Sequence, residues 1–175
     1  PFPALVRLLA KNANDAERGG SVWPSLQACA SAGVFHWFLP REFGGWHWSD
    51  AEILRGYVAL SEACLATTFV ITQRVAATQR LVACPNESLK HRQLPPLLGG
   101  ESMVSVGISH LTTSGQHLGK PMLSATATST GFVLNGCAPW VTGAAWCQSL
   151  VVGATLADGR QVLVSVDTKE DGVKI

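Results

Sequence analysis

Charge is scarce in this sequence: Lys, Arg, Asp and Glu make up 14% of 175 residues, and thirteen bases against twelve acids leave a net charge of +1. No stretch gathers Lys and Arg into a stripe that can track phosphates, which removes nucleic acid from the expected partners. Long apolar runs are missing too, since none approaches the ~18 residues of a membrane span. The opening PFPALVRLLAKN has no small-residue cleavage site after its short apolar segment, so the expected location is the cytoplasm, with no membrane anchor.

The five cysteines, Cys29, Cys64, Cys84, Cys137 and Cys147, are odd in number and lack the close paired spacings that hold zinc or shuttle disulfides. They read as reduced thiols of an intracellular protein. His110 and His117 have no acid or cysteine at ligand spacing, which excludes a metal site and leaves them as solvated loop histidines. No nucleophile elbow and no Walker loop is present, so hydrolase and nucleotide-triphosphatase chemistry have nothing to rest on. Internal repeats and low-complexity linkers are also absent.

What the chain does have is apolar mass: 47% of its residues, enough for a core in one or two small domains. It begins without methionine and stops at DGVKI just after a strand-like run, so it reads as a fragment. Its character changes near the middle. Residues 1–100 carry helical periodicity and residues 101–175 carry strand alternation, which predicts an α+β fold: an all-helical N-terminal domain followed by a small, incomplete antiparallel β-barrel domain.

In WSDAEILRGYVALSEACLA, Ser49 can cap a helix and Glu52 can close a capping box, with Ile53, Leu54, Tyr57, Val58, Leu60 and Leu65 as the buried face. TTFVITQRVAATQRLV reads as a second helix. NESLKHRQLPPLL reads as a third, capped by Asn86 with its prolines at the end. Upstream, VWPSLQACASAGV reads as another, with Pro24 in the first turn and Gly33 near the end. Strands are expected in SMVSVGIS, MLSATATST, FVLNGCAPWV, SLVVGATL and QVLVSVD, with STGF and ADGR as the turns between neighbours.

Three segments bear on chemistry. If FVLNGCAPWV stays extended through Thr142, then Trp140 and Thr142 share a face. They form either part of a packed β core or a surface for a flat heteroaromatic ring, the indole covering the ring and the hydroxyl bonding a ring nitrogen. Ser109 to Pro121, SHLTTSGQHLGKP, is either a plain surface loop or an anion-binding nest of backbone amides. LPREFGGWHWSD, residues 39–50, is either an aromatic-anchored connector or a binding site.

In this order, LPREFGG, CPNESLKHRQLPPLLGGESMVSVGIS and GFVLNGCAPWVTGA resemble the acyl-CoA dehydrogenase family, whose patterns run vPeeyGG, GteeqKqryLpplasGexxxaxalT and GyvlNGxKxWiTna. The resemblance covers nearly the whole chain. It implies FAD as cofactor, with Trp140 and Thr142 against the isoalloxazine ring and Thr142 near flavin N5. By the same positions, Val106, Ile108 and Ser109 line the pyrimidine edge, and Ser114 and Gly115 lie nearest the phosphates. SHLTTSGQ departs from the family's TEPxAGSD: Ser109 keeps a hydroxyl, while His110, Leu111 and Gln116 replace the acid, the proline and the aspartate. Ala138 also replaces the family's lysine.

The reaction implied is α,β-dehydrogenation of an acyl-CoA thioester with hydride transfer to flavin. The implied partners are an electron acceptor, either an electron-transfer flavoprotein or oxygen, and further copies of the chain in a homo-oligomer. The family's catalytic glutamate belongs to a C-terminal helical domain, so no catalytic residue is assigned here. Two other readings stay open: a flavin-dependent monooxygenase on the same scaffold, and an assembly module that has lost flavin.

Overall fold

The computed structural model describes residues 2–112 and 120–175. The chain divides into two compact units, Pro1–Met103 and Val104–Ile175.

Among its described residues the first unit holds five α-helices: α1 (Phe2–Glu17), α2 (Trp23–Ser31), α3 (Asp50–Ala63), α4 (Leu65–Val82) and α5 (Glu87–Gly99). Local signals set their ends. The Ser49 amide donates to Glu52 Oε2 at 2.8 Å, while the Glu52 amide donates to Ser49 Oγ at 3.4 Å, a closed capping box at the start of α3. Asn86 Oδ1 accepts from the Leu89 amide at 3.0 Å and starts α5, which runs through Pro95 and Pro96 to stop at Gly100 in a left-handed turn. α4 is buried on several sides, and its threonines suit that because Thr68 and Thr78 return their hydroxyls to the carbonyls of Cys64 and Arg74 at 2.9 and 2.8 Å.

One expectation fails on α3. Its buried residues are Gly56, Leu60 and Ala63, whereas Leu54 and Val58 are 64% and 49% exposed, and Leu65, which opens α4, is 63% exposed. Gly56 is the cause: a Cβ there would lie 2.5 Å from Trp37 Cζ3, so the missing side chain admits the indole onto the helix. Residues two apart on a helix lie about 200° apart, so seating Trp37 at Gly56 turns Leu54 and Val58 outward.

The second unit is one sheet of β1 (Val104–Gly107), β2 (Leu123–Ala127), β3 (Phe132–Gly136), β4 (Ser149–Leu156) and β5 (Gln161–Asp167). The pairing is mixed, which corrects the antiparallel expectation. β2 with β3 and β4 with β5 are antiparallel, but β4 runs parallel to β1 through Ser149–Val152 and parallel to β2 through Thr155–Leu156. β4 therefore joins two separate stretches of chain along one side. STGF and ADGR form the hairpin turns, the first through the Thr128 amide donating to Gly131 O at 2.9 Å, the second through Gly159 at φ 85°.

Registered partners point to one face, so Leu123, Ala125, Leu134, Leu150, Val152 and Val166 share an apolar side. Ser124, Asn135, Ser149, Thr155, Ser165 and Asp167 share the other, along with the small buried patch of Val104, Val106 and Val151.

Candidate functional site

The alternation that extends β3 through Thr142 is not what the structure has. β3 stops at Gly136, which has φ 129°, and a Cβ there would lie 2.1 Å from the carbonyl oxygen of Met122. The Cys137 amide makes one last bond to that carbonyl at 2.8 Å; then Pro139 offers no N–H and Trp140 turns left-handed at φ 55°. Trp140 and Thr142 therefore sit in a loop and share no strand face. Trp140 is 79% exposed, which also removes the packed-core alternative for it.

This loop is held against β1 from the side. Ser105 Oγ donates to Thr142 O at 2.6 Å. Gly107, two residues on and on the same face, leaves the space that Val141 Cγ2 and Ala138 Cβ fill, at 2.7 and 3.3 Å from where its Cβ would stand. Two segments remote in sequence are thus joined through their backbones and small residues. The indole of Trp140, between Ala138 and Val141, is left outside. Among the described residues the Thr142 hydroxyl has no hydrogen-bond partner, and the residue is half-buried.

Val106 points to the opposite face of β1, paired with Val151 and 7% exposed. Ile108 and Ser109 follow, both half-buried, where the strand passes into the turn Ser109–Leu111. A cavity of about 460 Å³ opens on the apolar side of the sheet, lined by Leu123, Leu134, Leu150, Val152 and Val166 together with Ala138 to Val141. Of the described residues singled out in the sequence, it takes in Trp140 but not Val106, Ile108, Ser109 or Thr142. Ser114 and Gly115 lie outside the described residues, as does His117.

His110 is not a solvated loop histidine. It is 4% exposed, and Nε2 lies 2.8 Å from the Gly153 carbonyl, to which it donates. Sequence reasoning missed this residue, Ser105 and Gly107. The latent signal was the pair of Ser and Gly on one face of β1, too short a pattern to name the loop that covers it.

The connector 39–50 is anchored within its own unit. Trp37 stacks on Trp48 at 4.4 Å, Trp46 lies 5.8 Å from Trp48, and His36 stacks on Trp46 at 5.7 Å. Among the described residues no helix is long and apolar enough to cross a membrane.

Residues 5–101 match the family model for the acyl-CoA dehydrogenase N-terminal domain. The (2S)-methylsuccinyl-CoA dehydrogenase of Cereibacter sphaeroides is 28% identical over 120 residues, 69% of this chain and 22% of that protein. Among solved structures, FkbI, of methoxymalonyl extender-unit biosynthesis for the polyketide Fk520, superposes with a TM-score of 0.82 at 21% identity, over 98% of this chain and 48% of its own. A Bacillus anthracis acyl-CoA dehydrogenase complexed with FAD gives 0.74 at 20%, over 97% of this chain and 31% of its own. TdsC from a Paenibacillus species, solved with FMN and indole, gives 0.76 at 18%, over 98% and 43%. The chain spans less than half the length of each of these proteins.

Proposed function

Since the chain belongs to the acyl-CoA dehydrogenase family, we propose that it supplies the flavin-facing part of an FAD-dependent oxidoreductase acting on an acyl-CoA thioester. The observation that carries this reading is the loop pinned to β1 by Ser105 and Gly107, which leaves the Trp140 indole open and the Thr142 hydroxyl unengaged among the described residues. An aromatic face and a hydroxyl two residues on are the groups a flat heteroaromatic ring needs.

When bound, the flavin supplies a hydride acceptor at N5, the chemistry of α,β-dehydrogenation. The chain's own contributions are binding and orientation. Trp140 would cover the ring and the Thr142 hydroxyl would donate a hydrogen bond to it, in a loop held by the Ser105 hydroxyl's bond to the Thr142 carbonyl. Ile108 and Ser109 border the pyrimidine edge from the end of β1. Val106 acts from beneath, as part of the buried patch under that end. The family resemblance assigns the phosphates to Ser114 and Gly115, which lie outside the described residues. The acyl-CoA substrate, an electron acceptor such as an electron-transfer flavoprotein or oxygen, and assembly into a homo-oligomer belong to the same proposal.

A second reading, a flavin-dependent monooxygenase, is favoured by one observation: SHLTTSGQ departs from the family's TEPxAGSD, and a monooxygenase needs no acyl-CoA pocket. The test is to add FAD to the purified protein, full length, and look for the visible band of bound flavin. Anaerobic bleaching by acyl-CoA thioesters supports dehydrogenation, and a requirement for external reductant and oxygen supports monooxygenation. A protein that stays colourless contradicts both.

A further inference from the structure

The turn that follows β1 is seated on β4 at Gly153. Leu111 N–H donates to Ile108 O at 3.0 Å and Thr112 N–H to Ser109 O at 3.3 Å, closing the turn on itself. His110 projects inward from it, and its Nε2–H reaches the carbonyl of Gly153 at 2.8 Å. Because a carbonyl only accepts, the proton is on Nε2. Nδ1 is buried, with no partner among the described residues.

Gly153 is what lets the turn come down. A Cβ there would lie 2.3 Å from Leu111 Cδ1 and 3.4 Å from Ile108 Cγ2, so the side chains on either side of His110 occupy the space a larger residue would need. Gly153 lies in mid-strand and its registered partner is Leu163 of β5. Glycine weakens a strand interior, so a mid-strand glycine with another segment lodged on it marks a close approach.

We infer that His110 is a positioning residue: by holding the turn on Gly153, it fixes the backbone of Ile108 and Ser109 where the flavin's pyrimidine edge is recognised. This rests on the flavin reading above and adds to it a residue that touches no cofactor. A hydrogen bond to buried backbone contributes modestly to stability, but a small displacement of a recognising backbone weakens binding steeply.

The test uses the full-length protein and three variants. His110→Leu keeps the bulk and removes the donor, and His110→Gln restores a donor at the position of Nε2. Gly153→Ala leaves His110 intact but pushes Leu111 and Ile108 off the strand. FAD affinity is measured by fluorescence titration, the visible spectrum of bound flavin by absorbance, and folding by urea titration. The expected result is a loss of roughly tenfold in FAD affinity with a shifted flavin spectrum for His110→Leu and Gly153→Ala, and near wild-type values for His110→Gln. If His110→Leu does not fold, Gly153→Ala decides. Wild-type affinity and spectrum in His110→Leu, or in a folded Gly153→Ala, would overturn the inference alone. A wild-type protein that binds no FAD would overturn the flavin reading and this inference with it.

Discussion

The loops around Trp46 and Trp140 begin from similar chemistry and end differently. Trp46-His47-Trp48 and Pro139-Trp140-Val141 each follow a glycine- or proline-marked turn, and each holds one of the chain's non-glycine residues at positive φ, His47 at 51° and Trp140 at 55°. In the first, ring meets ring: Trp48 stacks on Trp37, which is 2% exposed and lies over Gly56. In the second, the backbone and small side chains meet β1 while the ring stays in solvent. Left-handed backbone costs a non-glycine residue about 1–2 kcal/mol, which the surroundings must offset. In the connector, aromatic stacking does so within the unit. In the second loop no ring among the described residues stacks on Trp140, which is 79% exposed, as expected of a surface kept for a ligand.

The largest break in this comparison is Trp37→Ala. Removing the ring seated on Gly56 should cost about 3–5 kcal/mol in urea unfolding, and a cost under about 1 kcal/mol would show that the connector's rings are not what holds it. Next, Thr142→Val keeps the branched shape and removes the hydroxyl. Stability should stay within about 0.5 kcal/mol, while flavin reduction by substrate slows by about tenfold, roughly 1.4 kcal/mol of transition-state stabilisation. An equal loss in both would return Thr142 to a packing role. His47→Gly relieves the left-handed backbone and should raise stability by no more than about 1 kcal/mol; a loss would mean that the imidazole itself anchors the turn.

The smallest effect concerns the start of α3. Ser49's hydroxyl and amide, both bonded to Glu52, hold that carboxyl below its usual range. A depressed carboxyl contributes stability above its unfolded pKa and loses it as pH falls through the folded value. The contribution should therefore be present at neutral pH and fade under acid, and Glu52→Gln should remove that part of the pH dependence. Because Glu52 is fully exposed, the difference should be small and screened by salt.

Much of the fold was legible because its signals are local. The Ser49–Glu52 box, the Asn86 cap, Pro24 in the first turn of α2 and the ADGR turn each specify a boundary within a few residues. What the sequence hides depends on residues far apart. The buried face of α3 is chosen by Trp37 through Gly56, and β4's parallel pairing with both β1 and β2 comes from chain crossovers. At the site, Trp140 and Thr142 were visible as residue types, but Pro139 and the turn at Trp140 decide that they leave the strand. His110 looked like loop because its partner, Gly153, is 43 residues away.

The central claim is that the loop around Trp140 is an open flavin surface, whereas the connector around Trp46 is structural. It is tested most directly by titrating FAD into the full-length wild-type protein, Trp140→Ala and Trp46→Ala, the last chosen because Trp46 is also partly exposed, at 45%. The account predicts that Trp140→Ala folds as stably as wild type and binds FAD at least about tenfold more weakly, while Trp46→Ala binds it normally. Equal FAD affinity in Trp140→Ala and wild type would contradict it.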